Sequence, residues 1–469
     1  MQFIIDEQKF EKDYVMKESI KHSSSKNIKI LPYSTKYERK HNEQISKFET
    51  CVGEFCRSIY NKKLNSDEIN LSDVDIFIEN VEVCASDKVA LKSIIKEMFF
   101  DENGNLYTFH PKLLNYINMP KSDYNQGLAI FLYDILLGES NNGDIKNKII
   151  ECFDYKPENI MEFMILKSLP ELNDNKEVNK NHKCLALNVS NLFKQDLDFI
   201  LNKPALFIEE FENLLKYYYF FYVSQLSIKL SKFFDANKGV TEELYFNLDW
   251  ETVSKSRTSY TLGWKMLESN LKPLFSHSNL LGMLNSNNES TIYDYVEISN
   301  IINHISDEDR NELYQNIKMV KNKYVSLIDD VDWDDFNPVE KYSDDFLKQE
   351  IFDFFKRIDY QFINSNTRKK PYDGYKRWFE EYCKMNYLRR RGSLGYTLNI
   401  TQEQLLFITK LCIKDKDKIK LKDLFEEYKV RGIYFDRDSQ SKIVELFEKL
   451  NIIEKKSDSG DAQYVKSIL

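Results

Sequence analysis

Arginine is sparse in this chain and unevenly placed. It supplies 12 of the 66 basic residues, and seven of the twelve are Arg368, Arg377, Arg389, Arg390, Arg391, Arg431 and Arg437. Lysine keeps a surface hydrated at little cost, whereas the planar guanidinium grips phosphate or carboxylate through paired hydrogen bonds. Residues 367–395 carry Arg368, Lys369, Lys370, Lys376, Arg377, Lys384, Arg389, Arg390 and Arg391 against Asp373, Glu380 and Glu381, a net of +6. Together with Arg431, Arg437, Lys442, Lys455 and Lys456 these side chains form a candidate DNA-binding set, suited to phosphate contacts more than base reading. Tyr372, Tyr375, Trp378, Phe379, Tyr382 and Tyr387 interleave with them, as stacking platforms for exposed bases would. The same spacing has a second reading. Tyr375, Trp378, Phe379 and Tyr382 fall at i, i+3, i+4 and i+7, the period of a helix face turned to a core. Residues 329–350, with a net of −7, offer the basic segment a partner inside the molecule.

Other chemistry is hard to find. No Gly-Lys pair occurs, which removes the P-loop, and GxGxxG, HExxH and GxSxG are missing. The six histidines (22, 41, 110, 182, 277 and 304) stand too far apart to pair along a helix, and structural or surface roles are expected for each. Asp73 with Asp75, and the acidic cluster at 329–335, are the best candidates for a cryptic metal-dependent nuclease. In a chain with 75 acidic residues and 54 lysines such clusters recur by chance, and the second lacks the glycine of a calcium loop. The expectation is no catalytic residue, no metal and no cofactor.

The seven cysteines form no CxxC or zinc spacing and read as reduced thiols. The opening residues carry charges where a secretion signal needs an apolar run. The most lipid-like stretch, 214–230, is interrupted by Lys216, Gln225 and Lys229 and is rich in tyrosine, so it reads as a buried helix and no membrane association is expected. A cytoplasmic protein is the expectation.

The elements that must hold the basic segment come next. In 469 residues there are only 13 glycines and 9 prolines, too few for a turn-dense β architecture, so a mainly α fold is expected. Residues 1–45 read as an N-terminal arm and 46–364 as a large helical body, with a subdivision near the polar run at 171–183. Residues 365–400 form the basic Arg/aromatic segment. The net charge of −9 hides an asymmetry, because everything outside 367–395 and the nearly neutral 401–469 sums to −16.

The last segment can be read closely. Leu405, Ile408 and Leu411 mark a first helix, 419–421 is extended, and Leu424, Phe425 and Tyr428 mark a second helix stopped at Gly432. Asp438 is a plausible N-cap for a third helix carrying Ile443, Leu446, Phe447 and Leu450. Two short strands follow around the turn-like 457–461. Helix, strand, helix, helix, hairpin is the order of a C-terminal winged-helix domain, whose third helix is the groove-entering element. The outward residues of that helix (Gln440, Lys442, Glu445, Glu448 and Lys449) are of mixed sign, which argues against base-specific readout. Backbone docking or a protein-facing module fits better.

The stretches RRRGSLGYTLNITQEQLLFITKLCI (389–413) and LKDLFEEYKVRGIYFDRDSQSKIVELFEKLNIIEKKSDSGDAQYVKSIL (421–469) resemble the end of the DptG (DndG) family of DNA phosphorothioation-dependent restriction proteins. NIKILPYSTK (27–36) and YYYFFYVSQLSIKL (217–230) resemble it more loosely. The resemblance implies a bacterial anti-phage defence role beside an ATPase and a helicase-like subunit, in a machine that attacks DNA lacking phosphorothioate marks. It transfers no catalytic motif. Three functions follow as expectations: a non-catalytic DNA-binding adaptor, a purely protein-interaction scaffold, or the cryptic nuclease.

Overall fold

The computed structural model describes residues 3–64, 74–78, 84–102, 104, 106–117, 123–138, 143–175, 182–287, 291–455 and 463–468. It is mainly helical, at 60%, with 20 α-helices and a few small sheets among the described residues. Among those residues no helix is long and apolar enough to cross a membrane. The chain forms two compact units. One comprises Met1–Ser46, Asn181–Leu192 and Tyr219–Leu469; the other comprises Lys47–Lys180 and Phe193–Tyr218.

The smaller unit is a helical assembly around Phe55, whose ring meets Tyr133, Phe193 and Phe211 edge-on at 5.8 to 6.3 Å. A second cluster gathers Val74, Phe77, Ile78, Ile95, Phe99, Phe100 and Ile165. Edge-to-face aromatic pairs of this kind add about 0.5–1.5 kcal/mol beyond the area they bury.

The larger unit is built around helices that expose almost nothing. All eleven residues of the Leu274–Leu284 helix are buried. In the part of the Pro204–Ser231 helix that lies in this unit, every residue from Tyr219 to Leu230 is buried, polar Ser224, Gln225, Ser227 and Lys229 included. Its Tyr219 packs on Tyr382 at 4.5 Å and its Phe220 on Tyr387 at 4.1 Å, which fixes the basic segment to the core. Residues 1–45 are therefore not an arm. Phe3, Ile5, Phe10, Tyr14, Ile28, Ile30, Leu31 and Tyr33 are buried, because apolar side chains at that density gain too much by leaving water to hang free.

After residue 400 the elements run Gln402–Ile413 helix, Lys418–Lys420 strand, Leu421–Val430 helix, Arg437–Lys449 helix, Ile453–Lys455 strand and Gln463–Lys466 strand. The last strand lies between the other two, antiparallel to both, with Val465 opposite Ile419 on one side and Ile453 on the other. Gly432 has φ +72°, and a β-carbon there would collide with the Phe221 ring, so only glycine fits this helix stop. A second three-stranded sheet was not legible from spacing. Tyr396–Ile400 pairs antiparallel with Leu388–Arg390 and parallel with Asn247–Leu248, some 150 residues upstream.

Candidate nucleic-acid interface

The Lys369–Asn386 helix separates its two kinds of side chain cleanly. Tyr372, Tyr375, Trp378, Phe379 and Tyr382 are buried, and Tyr387 just beyond the helix end is buried too, so the aromatics are core and not exposed stacking platforms. The opposite face carries Lys369, Lys370, Asp373, Lys376, Arg377, Glu380, Glu381 and Lys384. Two of its cations are neutralised within the helix: Lys376 pairs with Glu380 and Lys384 with Glu381, at 2.8 and 2.7 Å. Lys369, Lys370 and Arg377 are exposed and form no ion pair among the described residues.

The loop before residue 42 is clamped onto this helix. Gly374 lets the backbones meet, since a β-carbon there would strike the Thr35 carbonyl. The Trp378 indole N–H donates to the Ser34 carbonyl at 3.0 Å. The Tyr37 ring meets Trp378 edge-on at 5.2 Å, and His41 lies against the same indole at 4.6 Å. The Tyr37 hydroxyl donates to Asn42, and burial, with Glu381 nearby, pushes it up to about 12; Arg377 and Arg39 are both close enough to act against that shift. Lys40 pairs with Glu38 at 2.8 Å and, with Lys370 also acting on it, holds that carboxyl below its ordinary value.

The remaining arginines of the candidate set have other duties. Arg368 is tied to Asp330, whose carboxylate also accepts from Ser365 and Thr367. The acidic stretch thus takes up one guanidinium of the basic segment, and one of the two nuclease candidates, the 329–335 cluster, has one of its carboxylates occupied. Arg391 donates to the carbonyls of Glu251 and Leu248 at 2.6 and 2.9 Å and to Thr397 at 3.1 Å. Arg389 donates to the Asp249 carbonyl. These two groups satisfy backbone acceptors around the Asn247–Leu248 strand. Arg390, between them, is exposed with no ion pair among the described residues.

In the C-terminal module Arg431 is 1% exposed and binds Glu427 at 2.6 Å and the Leu411 carbonyl at 3.1 Å, so it belongs to the interior and cannot reach DNA. Lys442 pairs with Glu445 at 2.8 Å and Lys455 with Glu448 at 2.7 Å. Lys456 lies outside the described residues, as does Asp73 of the other nuclease pair. Arg437 is exposed with no ion pair among the described residues. The cap of this helix is Asp436, not Asp438: its carboxylate accepts from the Ser439 N–H at 3.1 Å. Arg257 binds the same carboxylate and lies 3.1 Å from Glu251. Burial opposes the charge of Asp436, but Arg257, Ser439 and Ser259 outweigh it and hold the carboxyl down at about 2.

Of the fourteen side chains in the candidate set, Lys369, Lys370, Arg377, Arg390 and Arg437 are thus the ones described as exposed and unpaired. The residues that spacing missed are Lys36 and Arg39, exposed and without an ion pair among the described residues, brought beside the helix by the clamped loop. The run KYERKH at 36–41 was the available signal. No protein-family model matches the chain, and no curated protein matches it.

Proposed function

We propose that this chain is a non-catalytic, DNA-binding adaptor of a phosphorothioation-dependent restriction complex, working beside an ATPase and a helicase-like subunit. The observation that carries the DNA-binding half is the outer face of the Lys369–Asn386 helix, where Lys369, Lys370 and Arg377 stand exposed without an ion pair among the described residues. The restriction context rests on the resemblance of residues 389–469 to the DptG family. We read residues 401–469 as a winged helix, a reading supported by the order of three helices and three short strands with the last strand in the middle.

Contacts to phosphate release counterions, so binding should be salt-dependent and largely blind to sequence. Reversing Lys369, Lys370 and Arg377 together to Glu should weaken duplex binding by about 1 kcal/mol or more for each phosphate hydrogen bond removed. Fluorescence anisotropy over a salt series measures this. Absence of binding by the parent chain at low salt overturns the reading.

A protein-facing role for the C-terminal module has one specific support. Lys442 and Lys455 are neutralised by Glu445 and Glu448, so the third helix and the wing present little net positive charge. A winged helix of that kind suits a protein partner, while the upstream helix meets DNA.

A further inference from the structure

Resting on the DNA-binding reading, we infer that residues 36–41 form the second half of the DNA surface, gripping the phosphate backbone of a duplex together with the Lys369–Asn386 helix. The two pieces lie more than 320 residues apart in sequence, yet the fold fixes them against each other at several points. Gly374 admits the Thr35 carbonyl, Trp378 donates to Ser34, and His41 and Tyr37 both pack on the Trp378 ring. The Glu38 N–H donates to His41 Nδ1 at 2.9 Å, which closes the loop on itself. Holding the loop that carries the cations in place before binding removes the cost of ordering its backbone.

The charge count favours a polyanion. Lys376 and Lys384 are cancelled by Glu380 and Glu381, and Lys40 by Glu38. Lys36, Arg39, Lys369, Lys370 and Arg377 remain exposed and without an ion pair among the described residues, against Asp373 on the same helix. Arg39 and Arg377, from separate segments, are both near enough to the Tyr37 hydroxyl to act on it, as is Glu381 with the opposite sign. The indole that joins them is 3% exposed, so the contact surface offers cations and not a stacking ring. Phosphate, repeated along a backbone, is the ligand chemistry that such a group of neighbouring, unpaired cations matches.

The test compares full-length protein with Lys36→Gln/Arg39→Gln and with Lys369→Gln/Arg377→Gln on a 20-base-pair duplex over a salt series. Thermal melts verify that each variant remains folded, and the single change Arg39→Gln serves if the double change does not. Each pair should weaken binding at least about tenfold and lower the slope of log K against log salt by about 2. Wild-type binding with an unaltered slope in the 36/39 variant overturns this inference while leaving the DNA reading intact. No binding by wild type overturns both. Competition by poly-L-glutamate as effective, per charge, as by DNA assigns the surface to an acidic protein and also overturns it.

Discussion

One buried and one half-buried imidazole set a pH dependence at the level of single residues. His277 lies against Phe355 at 4.4 Å with Nδ1 3.0 Å from the Tyr295 hydroxyl, and burial brings its pKa down to about 3. His22 is also brought to about 3, by burial first and by Arg368 second. Both rings stay neutral when folded and take a proton near 6.5 when unfolded, so acid favours the unfolded chain. Stability should therefore fall as pH drops from about 6.5 toward about 3. A His277→Gln variant, whatever its absolute melting temperature, should show a shallower decline over that window, and an unchanged slope would contradict the assignment. The arginines teach a related lesson about legibility. Their concentration at 368–437 was visible in the sequence, but Arg391 and Arg389 serve carbonyls of residues 248–251 and Arg431 serves Leu411, through contacts that no local spacing announces. Reversal of the 389–391 triplet, the obvious test from sequence, would strip the Asn247–Leu248 strand of donors and report on folding instead of DNA.

Elements set by local pattern were the readable ones. The three C-terminal helices follow from apolar residues at helical spacing, and the stop at Gly432 from its tolerance of positive φ. Replacing Gly432 by Ala adds both backbone strain and a collision with Phe221, and should destabilise the protein by more than about 1 kcal/mol in a denaturant titration. Where tertiary contacts decide, the local reading slipped. The cap lies two residues earlier than spacing suggests, at Asp436 and not Asp438, because Arg257 and the Ser259 N–H already hold the Asp436 carboxylate. The Leu388–Arg390 strand was hidden because its partner Tyr396–Ile400 is itself completed by a distant strand. Arg257 is 9% exposed and ties three carboxylates and Ser439. Arg257→Ala leaves Glu251 and Asp436 facing each other without a cation, and should cost about 3–5 kcal/mol by thermal denaturation. The Asp436 contribution is present above about pH 4 and lost as pH falls toward 2, so Asp436→Asn should lack that acid-dependent component.

Across the whole molecule, composition gave a mainly helical chain, and one boundary between the two units falls at 180/181, inside the polar run at 171–183. The smaller unit takes Phe193–Tyr218 back from the far side of the 171–183 run, a return path that no composition shift marks. The C-terminal module is also less separate than its sequence suggests. Tyr434 exchanges backbone hydrogen bonds with Leu244 and Phe246 at 3.0 and 2.8 Å, and Thr241 donates to the Val430 carbonyl at 3.0 Å. Residues 401–469 expressed alone should therefore melt well below the intact chain, with amide protection around 432–436 diminished; full protection in the fragment would contradict this. The buried N-terminal residues carry a consequence for synthesis. Phe3 packs on Tyr293, the Asp6 N–H bonds the Ser286 carbonyl, and Asn27 bonds the Gly282 carbonyl. At roughly 5–20 residues per second, those early apolar side chains wait on the order of 15–60 s for their partners to leave the ribosome. Throughout that interval the nascent chain presents sticky, unsatisfied surface, the kind of client that holding chaperones capture.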